Sequence, residues 1–250
     1  VYKRQPSATL KPHRKNLQIV FQDPLASLDP RMTISASIAE PLRTFRPELT
    51  SVERKAAVAD MMERVGLDPA MVNRYPHELS GGQNQRVGIA RAMINRPKLV
   101  ICDEAVSALD VSIQAQILKL LKDLQAEFGM AMIFISHDLS VVRAVSNRIM
   151  VLYLGRVVEM ADRNAIYNTP QHPYTKALLS AVPIPDPHLE VSRKRLQILG
   201  ELASPLDPRA GLRFLPSRLT PTADYQPRLE EIAAGHFVEE HDPLDALLKA

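Results

Sequence analysis

The sequence predicts an α/β fold in which a parallel sheet is covered by helices. Short apolar runs at residues 17–21, 99–102 and 130–135 predict buried strands. The middle run is apolar on both faces, which is typical of a strand in a parallel sheet with helices on either side. An amphipathic stretch over residues 112–128, ended by Gly129, predicts a long helix between the second and third strands.

Composition and charge exclude several classes of protein. The 250-residue chain has a formal net charge of +3 without charge blocks, which is too mild to indicate nucleic-acid binding. Its one cysteine, Cys102, lies in a predicted strand, so we expect a buried thiol and a reducing compartment. No signal peptide is visible, and no apolar run approaches the roughly 20 residues of a membrane helix. Work at a membrane would therefore require docking to a partner.

The remaining segments differ in amino-acid composition. Residues 1–16 are polar and basic, which predicts a disordered or poorly anchored start. Residues 24–97 predict mainly helices, including one capped by Thr50 or Ser51. A short helix over 139–145 and a hairpin over 148–160 follow. Eleven of the 20 prolines lie in the last 87 residues, which predicts a linker and an irregular accessory region.

A glycine-containing turn at residues 79–83 has the chemistry of an anion site. Ser80 can cap a helix that starts near Asn84. Gly81 and Gly82 carry no side chain, so their N–H groups can approach an anion, and the helix dipole adds positive potential there. Alone, a Ser-Gly-Gly triplet is typical of a flexible loop.

Two carboxylates end the central predicted strand. Asp103 and Glu104 follow residues 99–102 directly. Neighbouring strand residues face opposite ways, so the two should have distinct tasks. A carboxylate at a strand end suits Mg²⁺, which takes oxygen ligands and keeps several waters. Without other motifs, two acidic residues here would indicate a solvated turn.

Further motifs stand in a fixed order around these two stretches. Residues 107–110 are Ser-Ala-Leu-Asp and residues 136–138 are Ser-His-Asp. From Gln83 to Asp103 is 20 positions, and from Glu104 to His137 is 33. With this order and spacing, the chain resembles the ATP-binding subunits of ABC transporters over about residues 15–185. Residues 21–32 and 172–179 resemble the branch that imports peptides, glutathione and nickel.

The resemblance implies a fold and cofactors. It implies a P-loop NTPase-like parallel sheet core with an inserted helical subdomain, and it implies ATP and Mg²⁺ as ligands. The implied domain boundaries place the remaining N-terminal part of the core, with the strand that ends in Gln22, at residues 1–23. The helical subdomain follows at residues 24–97. The division continues with 98–163 for the α/β core and 164–250 for the accessory region.

The resemblance also implies residue roles. Glu104 would polarise the attacking water, His137 would contact the γ-phosphate, and Gln22 would approach the metal and the water. Asp103, together with Gln22, would hold Mg²⁺ through water. The residues implied to touch a nucleotide held by a second subunit are Ser80, Gly81, Gly82 and Gln83, and those implied at the dimer interface are Ser107, Ala108, Leu109 and Asp110.

The chain departs from the family pattern in two places. No Gly-x-x-x-x-Gly-Lys-Ser/Thr phosphate-binding loop occurs in it. We therefore expect an N-terminally truncated chain that begins after that loop and lacks the N-terminal strands. We also expect that this chain alone cannot hydrolyse ATP. In the family a strand of that region lies beside the strand at 130–135, so we also expect an open apolar edge and poor solubility. Relatives often carry a cysteine-rich tail, whereas no cysteine follows Cys102 here, which excludes a thiolate-held iron–sulfur cluster.

The implied partners are a second ABC ATPase subunit, transmembrane permease subunits and, indirectly, a solute-binding protein. This implies a peripheral position at the cytoplasmic face of the inner membrane, with no nucleic acid. One alternative is a catalytically inactive subunit that lends its glycine turn to an intact ATPase. Another is a DNA-repair or chromosome ATPase, which the absence of a heptad repeat and the mild charge argue against.

Overall fold

A computed structural model describes residues 7–183, 195–198, 213–215, 227–243 and 247–249. The chain forms two compact units, Val1–His137 and Asp138–Ala250. The boundary between them falls inside the predicted segment 98–163, so the last predicted strand of the parallel sheet and the hairpin belong to different units.

The first unit is built on a parallel sheet. Its strands are β1 (Leu17–Val20), β2 (Leu99–Asp103) and β3 (Ala131–Ile135), in the order β1-β2-β3. Leu99 of the central strand lies opposite both Leu17 and Ala131. This arrangement confirms the predicted parallel sheet, and it brings the carboxyl ends of all three strands to one edge.

Helices connect these strands, and side chains at their ends explain where they begin and stop. The described helices of this unit are α1 (Ser7–Asn16), α2 (Ile34–Phe45), α3 (Ser51–Arg64), α4 (Gly81–Met93) and α5 (Val111–Phe128). The Thr50 hydroxyl accepts from the Glu53 N–H at 3.2 Å, and the Glu53 carboxylate accepts from the Thr50 N–H at 2.7 Å, which decides between the two predicted caps of α3. Gly129, with φ 62°, ends α5.

Helices α2, α3 and α4 bury the apolar core of the helical segment. Its fully or almost fully buried side chains are Ile34, Ile38, Val58, Met61, Met62, Val87, Ile89 and Met93. Each contributes roughly 1.5–3 kcal/mol relative to an exposed side chain. The adjacent Met61 and Met62 are therefore core residues of this segment.

Two expectations for the first unit are wrong. Residues 7–16 form helix α1 rather than a disordered start, although residues 11–14 are exposed. The strands β1 and β3 are only partly buried: Leu17, Ile133 and Ile135 are 46%, 49% and 46% exposed. The reason is that β1 and β3 are the outer strands of the described sheet, whereas Val100 and Cys102 of the central strand are fully buried.

The second unit is mainly antiparallel. Its described elements are α6 (Leu139–Val145), β4 (Arg148–Tyr153), β5 (Arg156–Asp162), α7 (Arg163–Asn168), α8 (Pro173–Ala181), β6 (Gln197–Ile198), β7 (Leu229–Ala233), β8 (His236–Glu239) and β9 (Leu248–Lys249). One sheet runs β4-β5-β8-β7, and β6 pairs with β9. The predicted helix at 139–145 and the hairpin are confirmed. Of the predicted proline linker, Pro185 and Pro187 lie outside the described residues.

A buried carboxylate lies in the centre of the second unit. Glu159 of β5 is 0% exposed. Its Oε1 accepts from the Gln171 N–H at 2.8 Å, and its Oε2 accepts from the His172 N–H at 3.0 Å. His236 Nε2 of β8 lies 2.8 Å from the same Oε1. Three donors therefore replace the water that the carboxylate loses on burial.

The membrane question has a simple structural answer for the described part of the chain. None of the helices defined there combines the length and the apolar character that crossing a bilayer requires.

Candidate functional site

Three side chains predicted as catalytic meet at the carboxyl edge of the parallel sheet. Gln22 follows β1, Glu104 follows β2 and His137 follows β3. Gln22 Nε2 donates to Glu104 Oε2 at 2.8 Å, and His137 Nδ1 lies 3.1 Å from Glu104 Oε1. The sequence separations are 82 and 33 residues, so only the parallel register of the strands brings these groups together.

The backbone of Glu104 has an unusual conformation. Its φ is 46°, in the left-handed region that residues with a Cβ rarely adopt. The Glu104 N–H donates to the Ile135 carbonyl at 3.0 Å, and the Ser107 hydroxyl donates to the Glu104 carbonyl at 3.0 Å. Hydrogen bonds on both sides thus hold a strained residue in place, a pattern found often at functional sites.

Asp103 has a different environment from its neighbour. It is still part of β2, lies opposite Ile135 and is half-buried. Within the described ranges, its carboxylate has no hydrogen-bond or ion-pair partner. Such a carboxylate fits one ligand of a Mg²⁺ ion whose remaining ligands are water and phosphate oxygens. The described residues do not form a complete metal site from protein ligands alone, because they contain no group of three or more metal-binding side chains.

The cluster of Gln22, Glu104 and His137 is open to solvent on one side. The His137 side chain is 72% exposed and that of Glu104 is 26% exposed. An exposed histidine beside a partly buried carboxylate can contact a phosphate that arrives from solution, while the carboxylate remains close to a water on that phosphate.

The residues 80–83, which we call the signature turn, form the start of α4. Ser80 and Gly81 are exposed. The Ser80 hydroxyl accepts from the Gln83 N–H at 3.3 Å, and Gln83 Oε1 accepts from the Ser80 N–H at 2.9 Å. The helix starts at Gly81, three residues earlier than predicted, because this capping box closes its first turn. The exposed end retains the free N–H groups and dipole of a helix N-terminus.

Packing against α5 accounts for one of the glycines. A Cβ on Gly82 would lie 2.8 Å from Cγ2 of Ile113, closer than real Cβ contacts allow. At Gly81 a Cβ would make an ordinary contact of 3.9 Å with Leu109. The sequence argument explained both glycines by approach to an anion. Gly82 has in addition a structural requirement that only the placement of α5 reveals.

Residues 107–110 connect Glu104 of this cluster to α5. Ser107 and Ala108 are exposed. The Asp110 carboxylate caps α5, and the Ser112 hydroxyl that donates to it lowers the pKa of Asp110 below its usual value. The predicted contact of this segment with a second subunit remains a prediction.

Comparison with known proteins supplies the family. A sequence profile described as ABC transporter matches residues 2–107, and one described as oligopeptide/dipeptide transporter, C-terminal region, matches residues 158–219. The oligopeptide transport ATP-binding protein OppF of Salmonella typhimurium is 58% identical over 80% of this chain and 60% of its own length. The putative oligopeptide transport ATP-binding protein YkfD of Bacillus subtilis is 48% identical over 91% of this chain and 70% of its own length.

Solved structures agree. The dimeric ATP-binding cassette MJ0796, bound to ADP and Pi in a post-hydrolysis state, superposes with a TM-score of 0.57 at 31% identity, over 64% of this chain and 68% of that one. The structure of cbiO1 from Clostridium perfringens, part of the ABC transporter complex cbiONQ, gives a TM-score of 0.59 at 27% identity, over 68% and 64%.

The chain belongs to the ABC transporter ATP-binding proteins. It spans about 60% of the length of the first curated relatives that it matches. The α/β fold class expected of this family is confirmed. The ABC profile contains Gln22, the signature turn, Asp103 and Glu104, whereas His137 lies beyond its last matched residue.

One residue near the signature turn was missed from the sequence. Asn84 is 3% exposed, and its Nδ2 donates to the Pro76 carbonyl at 2.9 Å and to the Leu79 carbonyl at 3.3 Å. Its position three residues before the apolar Val87, on the buried side of an amphipathic helix, was the available signal.

Proposed function

We propose that this chain is the ATP-binding subunit that energises an ABC importer of oligopeptides or similar small solutes. The observation that carries the proposal is the meeting of Gln22, Glu104 and His137 at the carboxyl edge of the sheet, in a chain whose signature turn is exposed. Relatives named as oligopeptide transport ATP-binding proteins support the solute class.

The chain contributes to two nucleotide sites. Gln22, Asp103, Glu104 and His137 act on one ATP. The signature turn acts on a second ATP that another ATPase subunit holds, because its exposed N–H groups and helix dipole favour a phosphate. The MJ0796 structure is described as a dimer, which supports pairing of two such subunits.

Each catalytic residue has one task. Glu104 accepts hydrogen bonds from the attacking water and aligns it, while Gln22 positions the carboxylate. His137 stabilises charge on the γ-phosphate through its exposed ring. Asp103 would hold Mg²⁺ through water, and the bound ion neutralises phosphate charge.

The 250 residues alone do not hydrolyse ATP in this proposal. They contain no Gly-x-x-x-x-Gly-Lys-Ser/Thr loop. That loop supplies charge-assisted hydrogen bonds of about 1.5–3 kcal/mol each. The loss of several such bonds weakens ATP binding by orders of magnitude.

A pairing experiment tests the proposal. The chain is mixed with an intact oligopeptide-transport ATPase subunit whose own signature serine is replaced by arginine. Two copies of that subunit then cannot complete a nucleotide site between them. We expect Mg²⁺-dependent ATP turnover only when this chain is added, and loss of turnover with Ser80→Arg in this chain. Failure of the unmodified chain to restore turnover would contradict the proposal.

A second mixture separates an active subunit from an inactive partner that only lends its signature turn. The absence of the phosphate-binding loop from these residues is the observation that favours the second candidate. In this mixture the intact subunit keeps its signature serine, but its own catalytic glutamate is replaced by glutamine. If the chain only lends the turn, we expect no ATP turnover; if its own cluster also works, turnover appears and Glu104→Gln in this chain abolishes it.

The docking site for a membrane partner is a cavity in the helical segment. Its volume is about 260 Å³, and its apolar walls are Leu42, Leu49, Ala57, Met61 and Ile94. Charged residues that include Arg46, Glu53 and Asp60 also line it. A pocket lined by apolar side chains and by polar or charged ones in equal number suits a few anchor side chains of a partner helix, here from a permease at the cytoplasmic face of the membrane.

Filling the cavity tests this docking site. We expect Ala57→Trp to abolish binding of the chain to permease-containing vesicles while the chain remains folded. The matched control is Ala56→Trp, at an exposed neighbouring position on the same helix. Equal binding by both variants would place the permease elsewhere.

A further inference from the structure

The segment before the signature turn is a closed unit. The Leu79 N–H donates to the Pro76 carbonyl at 3.2 Å, and the Glu78 N–H donates to the Tyr75 carbonyl at 3.0 Å. The Tyr75 N–H donates to the Glu78 carboxylate at 2.7 Å. These bonds fix the shape of residues 75–79, but each of them lies inside the segment and none holds it against α4.

Asn84 supplies the missing connection. It lies one helical turn after Ser80, and the Asn84 N–H donates to the Ser80 carbonyl at 2.9 Å. Its side-chain Nδ2 donates to two carbonyls of the preceding segment, those of Pro76 and Leu79. The side chain is 3% exposed, so water competes little for these bonds.

The chemistry at this position is specific. Two carbonyls converge on one nitrogen, and a primary amide offers two N–H donors on one nitrogen without a charge. An aspartate has the same shape, but its carboxylate oxygens would face the two carbonyl oxygens, and all of these are hydrogen-bond acceptors. An apolar side chain would leave both carbonyls without the N–H donors of the amide.

We propose that Asn84 is a positioning residue that fixes the direction of the signature turn. Ser80 lies between the two anchored points, Leu79 and Asn84, so the amide holds the Ser80 side chain and the exposed N–H group of Gly81 towards the nucleotide of the partner subunit. This inference rests on the proposed function for its consequence in catalysis, whereas the anchoring itself does not.

Hydrogen exchange of the whole 250-residue chain tests the anchoring. Asn84→Leu keeps the branched arrangement of side-chain heavy atoms and removes both hydrogen bonds. Asn95→Leu is the matched control, since Asn95 follows the other end of α4, is buried, and its amide has no partner among the described residues. We expect amides of residues 75–83 to exchange about tenfold faster in Asn84→Leu and no faster in Asn95→Leu. Unchanged exchange in Asn84→Leu would overturn the inference.

The pairing assay tests the catalytic consequence. The partner's own phosphate loop binds the ATP ground state, so Asn84→Leu should lower kcat about fivefold or more at saturating chain, with KM for ATP within about twofold of the original. Recovery of kcat on addition of more chain would show partial unfolding instead and would overturn the inference. If Ser80→Arg has no effect while exchange at 75–83 rises in Asn84→Leu, the proposed function fails and the anchoring stands.

Discussion

Position 82 needs a glycine because a neighbouring helix comes close, and not because of its backbone angles. The Cγ2 of Ile113 occupies the space next to its Cα. Gly88, nearly two turns further along the same helix, has open space where a Cβ would lie, with no neighbouring atom within 4 Å. Gly82 and Gly88 of this helix should therefore respond differently to the same replacement.

Gly82→Ala should destabilise the protein by about 1–3 kcal/mol, because α4 and α5 must separate or Ile113 must leave its rotamer. Gly88→Ala should stabilise it by about 0.5–1 kcal/mol, since alanine restricts the unfolded chain. Urea unfolding of both variants measures the difference. Restoration of stability by Ile113→Ala in the Gly82→Ala background would confirm the contact, and equal effects of the two alanines would refute it.

The burial of His172, at the start of α8, makes the stability of the fold depend on pH. Its side chain is 0% exposed, and its Nδ1 accepts from the Tyr174 N–H at 3.1 Å. Burial, with a smaller contribution from the neighbouring His241, lowers the pKa of His172 from 6.5 to about 3. Between these values the unfolded chain binds a proton that the folded chain does not, so stability falls as pH falls from 6.5 towards 3.

His172→Asn should flatten this dependence, because asparagine can still cap α8 but does not titrate. The single proton accounts for up to about 1.4 kcal/mol per pH unit. Urea midpoints at neutral and mildly acidic pH measure the slope, with His77→Asn at an exposed histidine as the control. An unchanged slope in His172→Asn would show that the buried ring is not the titrating group.

At the scale of elements, β3 presents apolar side chains on an outer strand of the described sheet. Ile133 and Ile135 are both about half exposed, whereas Met132 is more buried. Unpaired outer strands with apolar side chains favour edge-to-edge association.

Ile133→Lys should raise solubility and reduce light scattering, since a charge on an outer strand opposes pairing with another chain. We expect its stability to change by only about 0.5 kcal/mol. Met132→Lys, one residue away on the other face, should instead destabilise the fold. If Ile133→Lys aggregates as readily as the original chain, another surface drives association.

Which elements exist could be predicted, and how exposed they are could not. The strand at 99–103 and the helix at 111–128 follow from local apolar patterns. The partial exposure of β1 and β3 does not, because it depends on which elements lie beside each strand. At the candidate site, the sequence indicates Gln22, Glu104 and His137 but not that both Glu104 oxygens are engaged. The roles of Asn84 and Ile113 come from packing between α4 and its neighbours, which no local pattern encodes.

For the whole molecule, nucleotide binding should be measurable as a rise in the unfolding temperature, Tm. A ligand that binds only the folded state raises Tm as its concentration exceeds its Kd. Because the phosphate-binding loop is absent from these 250 residues, MgATP should leave the Tm of the isolated chain unchanged. An intact ATP-binding subunit treated in the same way serves as the positive control. A rise of several degrees for the isolated chain would show a triphosphate grip that the sequence does not reveal.

The three donors around Glu159 also constrain the order of events during synthesis. One of them comes from His236, which the ribosome adds 77 residues after the carboxylate. Until that histidine has emerged, the growing polypeptide cannot fully compensate the charge that the unit later buries. The C-terminal unit therefore completes its folding only after His236 has left the ribosome.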